Sequence, residues 1–97
     1  MYNLEIKPEL QKVLSKLCKK DKKTYEAVMK KIEEILQNPQ HYKPLKYDFA
    51  GERRVHIMKN FVLKFEINEN TKTVCFLFFC HHDEAYRRWN MKRKLNV

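Results

Sequence analysis

The apolar positions near the amino terminus follow two successive periods. Tyr2, Leu4 and Ile6 recur at every second residue, which predicts a half-buried strand that ends before Pro8. Beyond Pro8 the apolar residues recur at steps of three and four, with lysines on the other faces, which is typical of an amphipathic helix. The stripe consists of Leu10, Val13, Leu14 and Leu17.

A second helical stripe follows after a short turn. Asp21 is a suitable N-cap, because its carboxylate can accept hydrogen bonds from the first helical N–H groups. Asn38 and Pro39 stop the pattern, since the residue before a proline avoids helical geometry. Two helices joined by a short turn predict an αα-hairpin. The apolar positions of the second helix are Tyr25, Val28, Met29, Ile32, Ile35 and Leu36.

The second half of the chain favours strands. Residues 40–52 lack a sustained period and predict a loop, whereas a short helix is expected from about Asp83 onwards. The resulting order predicts one α+β domain spanning residues 1–97. In it, an N-terminal strand and a two-helix hairpin pack on a small, mostly antiparallel four-stranded sheet, followed by a short C-terminal helix. The three further strands are expected over residues 53–58, 61–68 and 73–81, with the polar stretch 68–72 as a turn.

Side-chain parity predicts how the first two of these strands pair. Because the apolar residues of both strands must face the core, Ile57 is expected opposite Phe61. The connection then has three residues, of which Asn60 is expected to adopt the left-handed conformation.

The same parity gathers basic residues on the other face of the sheet. Arg54 is expected directly opposite Lys64, with His56 beside them. Like charges opposite each other destabilise a pair of strands. The arrangement therefore points to an anion-binding face, and the alternative is an ordinary solvated surface.

The overall charge supports the anion interpretation. The 97 residues include 21 lysines and arginines and 12 acidic residues, which gives a net charge of +9. This charge indicates a polyanionic partner, and nucleic acid is the leading candidate. No apolar run approaches the roughly 20 residues of a membrane span, so a cytoplasmic protein without membrane contact is expected. Further residues that could contact RNA phosphates are Lys43, Lys46, Arg53, Lys64, His81, Arg87 and Arg88.

Metal and cofactor chemistry is not expected. Cys75 and Cys80 lie in one apolar strand, where strict alternation places them on opposite faces, so the sequence gives little support for a zinc site. The single glycine, Gly51, excludes glycine-rich phosphate loops. Any catalysis would therefore depend on cations and histidines.

Four short motifs occur in a characteristic order. They are K-P-L at 43–45, G-E-R-R-V-H-I at 51–57, V-L-K-F at 62–65 and H-H-D-E-A-Y-R at 81–87. Together with the order of the elements, they resemble the RelE toxins of the RelE/ParE superfamily over nearly the whole chain. The resemblance implies a type II toxin: a ribosome-dependent endoribonuclease, or mRNA interferase, that cuts mRNA in the A site and inhibits translation. It also implies a RelB-like antitoxin that wraps around the toxin in a hetero-oligomer.

The resemblance further implies a set of catalytic residues. The basic residues after the loop correspond to Arg54 and His56, and the family's strand-end arginine corresponds to His82 or His81. The tyrosine that follows corresponds to Tyr86.

Two positions depart from the family pattern. Val62 stands where an arginine is usual, and a histidine replaces the strand-end arginine. Either Lys64, Arg53 and Arg87 take over these functions, or the activity is altered.

The chemistry that these residues could support needs no metal. The 2′-hydroxyl of RNA can attack the adjacent phosphorus if a base, an acid and stabilising cations are present. His56 and His82 are candidates for base or acid, and the sequence leaves their roles open. Arg54 and Lys64 suit charge stabilisation, while Tyr86 could stack on or orient a base.

Two other functions remain open at this point. A ParE-like inhibitor of gyrase would have the same fold without nuclease activity. A basic module that binds RNA or the ribosome without catalysis would also fit the charge. ParE-type proteins generally lack the set of cleavage residues, so the presence of Arg54, His56, His82 and Tyr86 favours RNA cleavage over gyrase inhibition.

Overall fold

The computed structural model describes residues 1–42 and 52–84. Residues 82–84 are helical and directly follow the last strand; the remainder of the predicted C-terminal helix and most of the predicted loop lie outside the described residues. The elements are β1 (Asn3–Ile6), α1 (Pro8–Lys20), α2 (Lys22–Gln37), a 3-10 helix (Pro39–His41), β2 (Glu52–Ile57), β3 (Phe61–Asn68) and β4 (Thr73–His81).

The predicted helix boundaries are confirmed. Pro8 occupies the first turn of α1, where a missing N–H group is tolerated. Asp21 caps α2: its carboxylate accepts hydrogen bonds from the backbone N–H of Thr24 at 3.2 Å and from the Thr24 hydroxyl at 2.6 Å. Asn38 follows the last residue of α2 and precedes the 3-10 helix that begins at Pro39.

The four strands form one mixed sheet in the order β1-β4-β3-β2. β1 runs parallel to β4, while the β4–β3 and β3–β2 pairs are antiparallel. This is the predicted α+β architecture with a mostly antiparallel sheet.

The predicted pairing of β2 with β3 is also confirmed. Ile57 lies opposite Phe61, and three residues connect the strands. The prediction that Asn60 takes the left-handed conformation is wrong: Met58 and Lys59 have positive φ angles of 54° and 68°. A tight turn whose twist matches the strands requires positive φ at its central positions, and no glycine is available there.

The core lies between the αα-hairpin and one face of the sheet. Apolar side chains of both helices and of β2, β3 and β4 form a single buried cluster. The side chains of Phe65 and Phe76 are fully buried at its centre, with their ring centroids 5.7 Å apart. The helices therefore cover one face of the sheet, which we call the core face. We call the other face the site face.

A β-bulge interrupts β4 at Leu77. Phe76 pairs with Phe65 and Phe78 with Lys64, so Leu77 has no partner on β3. The bulge reverses the alternation of β4, and the predicted placement of Cys75 and Cys80 on opposite faces is therefore wrong. Both pair with site-face positions of β3.

The two cysteines are nevertheless far from each other. Their partners on β3 are four residues apart, which corresponds to about 13 Å along the strand. Residues 1–42 and 52–84 contain no group of three metal-ligating side chains. Nor does either range contain a helix long and apolar enough to cross a membrane.

Candidate functional site

Basic residues of the site face come from neighbouring strands. Arg54 on β2 pairs directly with Lys64 on β3, as the sequence predicts. His56 lies two residues further along β2 and is exposed, whereas Arg54 is partly buried. The site face therefore presents a cation and an imidazole side by side.

The ring of His82 completes this group. It stacks on the ring of His56, with 5.4 Å between ring centroids and 28° between ring planes. The backbone N–H of His82 donates a hydrogen bond of 2.8 Å to the carbonyl oxygen of Asn60, which holds the end of β4 against the β2–β3 turn. The structure thus brings together Arg54, His56 and His82.

His81 lies apart from this group. It pairs in register with Phe61, and the two rings are in edge contact with 5.8 Å between centroids. Its Nδ1 accepts a 3.3 Å hydrogen bond from the backbone N–H of Asp83. The sequence left open which histidine accompanies Arg54, and the structure selects His82.

The protonation of His56 is altered by its surroundings. Although His56 is exposed, partial desolvation of its ring, then the charge of Arg54 and then that of His82 lower its pKa from the usual 6.5. The carboxylate Oδ1 of Asp83 lies 3.8 Å from His82 Nδ1, a distance at which the two can pair when that ring carries a proton. The other oxygen of this exposed carboxylate lies equally close, at 3.8 Å, to Nδ1 of His81.

Lys64 is not the exposed cation that the sequence predicts. Its side chain is only 4% exposed, and its Nζ forms a 2.6 Å ion pair with Glu52 Oε1. The ammonium also lies 5.5 Å from the centroid of the Phe78 ring. A buried ammonium needs a counter-charge, and Glu52, which parity places on the same face, supplies it. The like-charge pair with Arg54 is thereby offset.

Arg53 is held by contacts within the protein. Its Nε donates a 2.8 Å hydrogen bond to the carbonyl oxygen of Tyr42, and its Nη2 donates one of 3.3 Å to Gln40 Oε1. Residue parity along β2 separates it from Arg54. These contacts tie β2 to the 3-10 helix, a role that neither residue spacing nor charge reveals.

The other predicted site residues lie outside the described residues. They are Lys43, Lys46, Tyr86, Arg87 and Arg88. Sequence reasoning missed Glu52, and it used Asp83 only as a helix cap. Parity along β2 could have placed Glu52 near Lys64, whereas the position of Asp83 depends on where the helix begins.

The fold is that of the small α+β toxins of this superfamily. The family model for the ParE toxin of the type II toxin–antitoxin system parDE matches residues 4–86. The chain belongs to the RelE/ParE superfamily and is a toxin of a type II toxin–antitoxin system.

Individual relatives agree with this assignment. "Putative toxin RelE4" of Methanocaldococcus jannaschii is 53% identical over 88 residues, covering 91% of this chain and 94% of that protein. The structure of the isolated Escherichia coli RelE toxin aligns with a TM-score of 0.70 at 18% identity, covering 91% of this chain and 98% of that one. The toxin–antitoxin complex RelBE2 of Mycobacterium tuberculosis has a chain that aligns with a TM-score of 0.69 at 22% identity, covering 84% and 98%. At these identities the solved structures establish the fold.

Proposed function

We propose that this toxin is a ribosome-dependent endoribonuclease that cleaves mRNA in the A site and so inhibits translation. The observation that carries the proposal is the stack of His56 on His82 beside Arg54. One surface thereby holds two imidazoles, the side-chain type best suited to general acid–base catalysis, and one guanidinium. Action on the ribosome would place the toxin in the cytoplasm.

The proposed reaction uses the RNA's own nucleophile. The 2′-hydroxyl oxygen attacks the adjacent phosphorus, and the bond from phosphorus to the 5′ oxygen breaks. The products are a 2′,3′-cyclic phosphate and a free 5′-hydroxyl. A base accepts the proton of the 2′-hydroxyl, an acid donates a proton to the leaving oxygen, and cations stabilise the negative charge on the phosphorane.

The lowered pKa of His56 suggests how the two histidines divide the roles. His56 is neutral, and so able to accept a proton, over a wider pH range than an unperturbed imidazole, which suits the general base. His82, the ring stacked on it, is then the candidate for the acid. Arg54 would stabilise the phosphorane charge, because a guanidinium keeps its charge throughout the pH range of the reaction. Tyr86 is assigned from the sequence as the residue that orients a base.

The remaining cations divide into two groups. Four residues remain candidates for phosphate contacts from the sequence alone: Lys43, Lys46, Arg87 and Arg88. Lys64, Arg53 and His81 are weaker candidates than the sequence indicates, since each has partners within the protein.

We also propose a RelB-like antitoxin as the cognate partner in a hetero-oligomer. The aligned Mycobacterium tuberculosis chain comes from a toxin–antitoxin complex. On this chain, an apolar groove between β1 and α2 is lined by Leu4, Tyr25, Met29 and Leu36, and Leu4 is 48% exposed. An acidic segment that folds on binding could cover this groove and offset the net charge of +9.

Mapping of mRNA 5′ ends after brief expression tests the nuclease proposal. Cuts in phase with codons, present in the parent and absent in Arg54→Ala, would support it. A DNA-damage response without cuts would instead support gyrase inhibition, the alternative that the resemblance to the superfamily allows. If neither mRNA cuts nor a DNA-damage response is observed, the protein is a passive binding module.

A further inference from the structure

Six lysines lie on α1 and at the start of α2, the two helices that pack on the core face of the sheet. All six are exposed, and none has an ion-pair partner within 4.0 Å among residues 1–42 and 52–84. We call them the hairpin lysine cluster: Lys12, Lys16, Lys19, Lys20, Lys22 and Lys23.

Helix stability does not explain their spacing on α1. Lys16 has lysines four positions before it and three and four positions after it, namely Lys12, Lys19 and Lys20. Side chains at these separations are neighbours on a helix surface, and like charges there destabilise the helix. The repulsion among the four lysines is therefore tolerated for another reason.

Helix stability explains the lysines of α2 even less. Lys22 and Lys23 lie at the N-terminus of α2, where the helix dipole disfavours positive charge. The first turn contains no acidic residue. The carboxylate of Asp21 accepts hydrogen bonds from Thr24, and after these bonds the charge of Lys23 makes only a minor contribution to its lowered pKa. Lys19 and Lys20, by contrast, suit the C-terminus of α1. The α2 lysines thus concentrate positive charge at an unfavourable position.

The cluster and the proposed cleavage site lie on different sides of the sheet. α1 and α2 pack on the core face, whereas Arg54, His56 and His82 belong to the site face.

We propose that the hairpin lysine cluster binds the phosphate backbone of folded RNA and forms a second contact surface, separate from the cleavage site. Lysine ammonium groups neutralise phosphates without reading bases, so this surface would supply affinity and orientation but no sequence preference. The inference shares an RNA partner with the proposed function, yet it does not require that the toxin cleaves RNA.

Fluorescence anisotropy with a labelled, blunt-ended RNA duplex tests this inference across a series of salt concentrations. A duplex presents no unpaired strand for cleavage, so binding is measured independently of activity. The test variant combines Lys19→Gln with Lys22→Gln. The matched control combines Lys7→Gln with Lys30→Gln, two exposed lysines outside the cluster, and removes the same charge.

The cluster variant should weaken duplex binding and reduce the slope of log affinity against log salt by about one per lysine. The control should leave this slope nearly unchanged, and melting curves should show both variants folded.

Three results would overturn the inference. The first is that the parent protein does not bind the duplex, and the second is that the two double variants have equal effects. The third is that the cluster variant loses antitoxin binding while its slope of log duplex affinity against log salt stays that of the parent. If the parent fails to cut mRNA while the cluster variant still lowers the slope, the nuclease proposal fails and this inference stands.

Discussion

The ring of His56 on β2 stacks on the ring of His82 after β4, although β3 lies between these two strands. At this level β3 contributes Val62, which pairs with His56 on one side and Cys80 on the other. Val62 is fully buried. A short apolar side chain at this position leaves room for the two rings to meet, so the geometry of the histidine pair depends on Val62.

Replacement of Val62 by arginine should separate the two rings. The longer side chain would occupy the space between β2 and the end of β4, and loss of a positioned acid–base pair should lower cleavage by about 10²-fold. Nuclear Overhauser effects between the two imidazoles, together with cleavage rates below the melting temperature, measure this. Val62→Ala is the control and should preserve the ring contact. An arginine variant that keeps the contact would contradict the explanation.

His82 and His81 should differ sharply on substitution. His82→Ala is expected to lower ribosome-dependent cleavage by about 10²-fold or more, because it removes a proposed acid. His81→Ala should cleave near the parent rate, since His81 packs against Phe61 outside the site. Both exposed changes should alter the free energy of unfolding by less than about 1 kcal/mol. Similar rates for the two variants would show that the stacked pair is not the catalytic centre.

The lowered pKa of His56 predicts a pH dependence. As the general base, His56 would keep cleavage active somewhat below pH 6.5, and the rate would fall as pH drops through its folded pKa. The unfolded chain binds more protons between the two pKa values, so the free energy of unfolding should also decrease there as pH falls.

Arg54 provides the control for this titration. Arg54→Ala removes the second-largest cause of the shift, so the pKa of His56 should rise towards 6.5. Titration followed by NMR of the imidazole protons measures this without any activity. An unchanged titration would mean that Arg54 does not act on His56.

The Lys64–Glu52 ion pair should show strong coupling. Glu52→Gln removes the carboxylate that pairs with the buried ammonium of Lys64 and should lower the free energy of unfolding by about 3 kcal/mol. This value is at the lower end of the range for breaking a buried ion pair, because the Glu52 side chain is 17% exposed. The double variant Glu52→Gln with Lys64→Met should regain most of this stability. Denaturant unfolding measures both. Additive losses would contradict the coupling.

Local patterns predict much of this fold, and non-local contacts account for what they miss. The Asp21 cap and the pairing of Ile57 with Phe61 follow from capping chemistry and from alternation with a short turn. The contacts of Arg53 with Tyr42 depend on tertiary structure, which no period encodes. Likewise, the positive φ of Met58 reflects strand twist rather than the preference of the residue itself.

The bulge at Leu77 shifts the alternation of side chains along β4 by one residue. Up to Phe76 the even-numbered residues of β4 face the core. Beyond the bulge the odd-numbered residues, such as Phe79, face the core instead. With unbroken alternation, His81 would face Arg54 and His82 would turn away. Deletion of Leu77 would remove the unpaired residue and keep every downstream side chain on its present face. In a strand of this length, a bulge well before the site therefore decides which histidine lies beside Arg54.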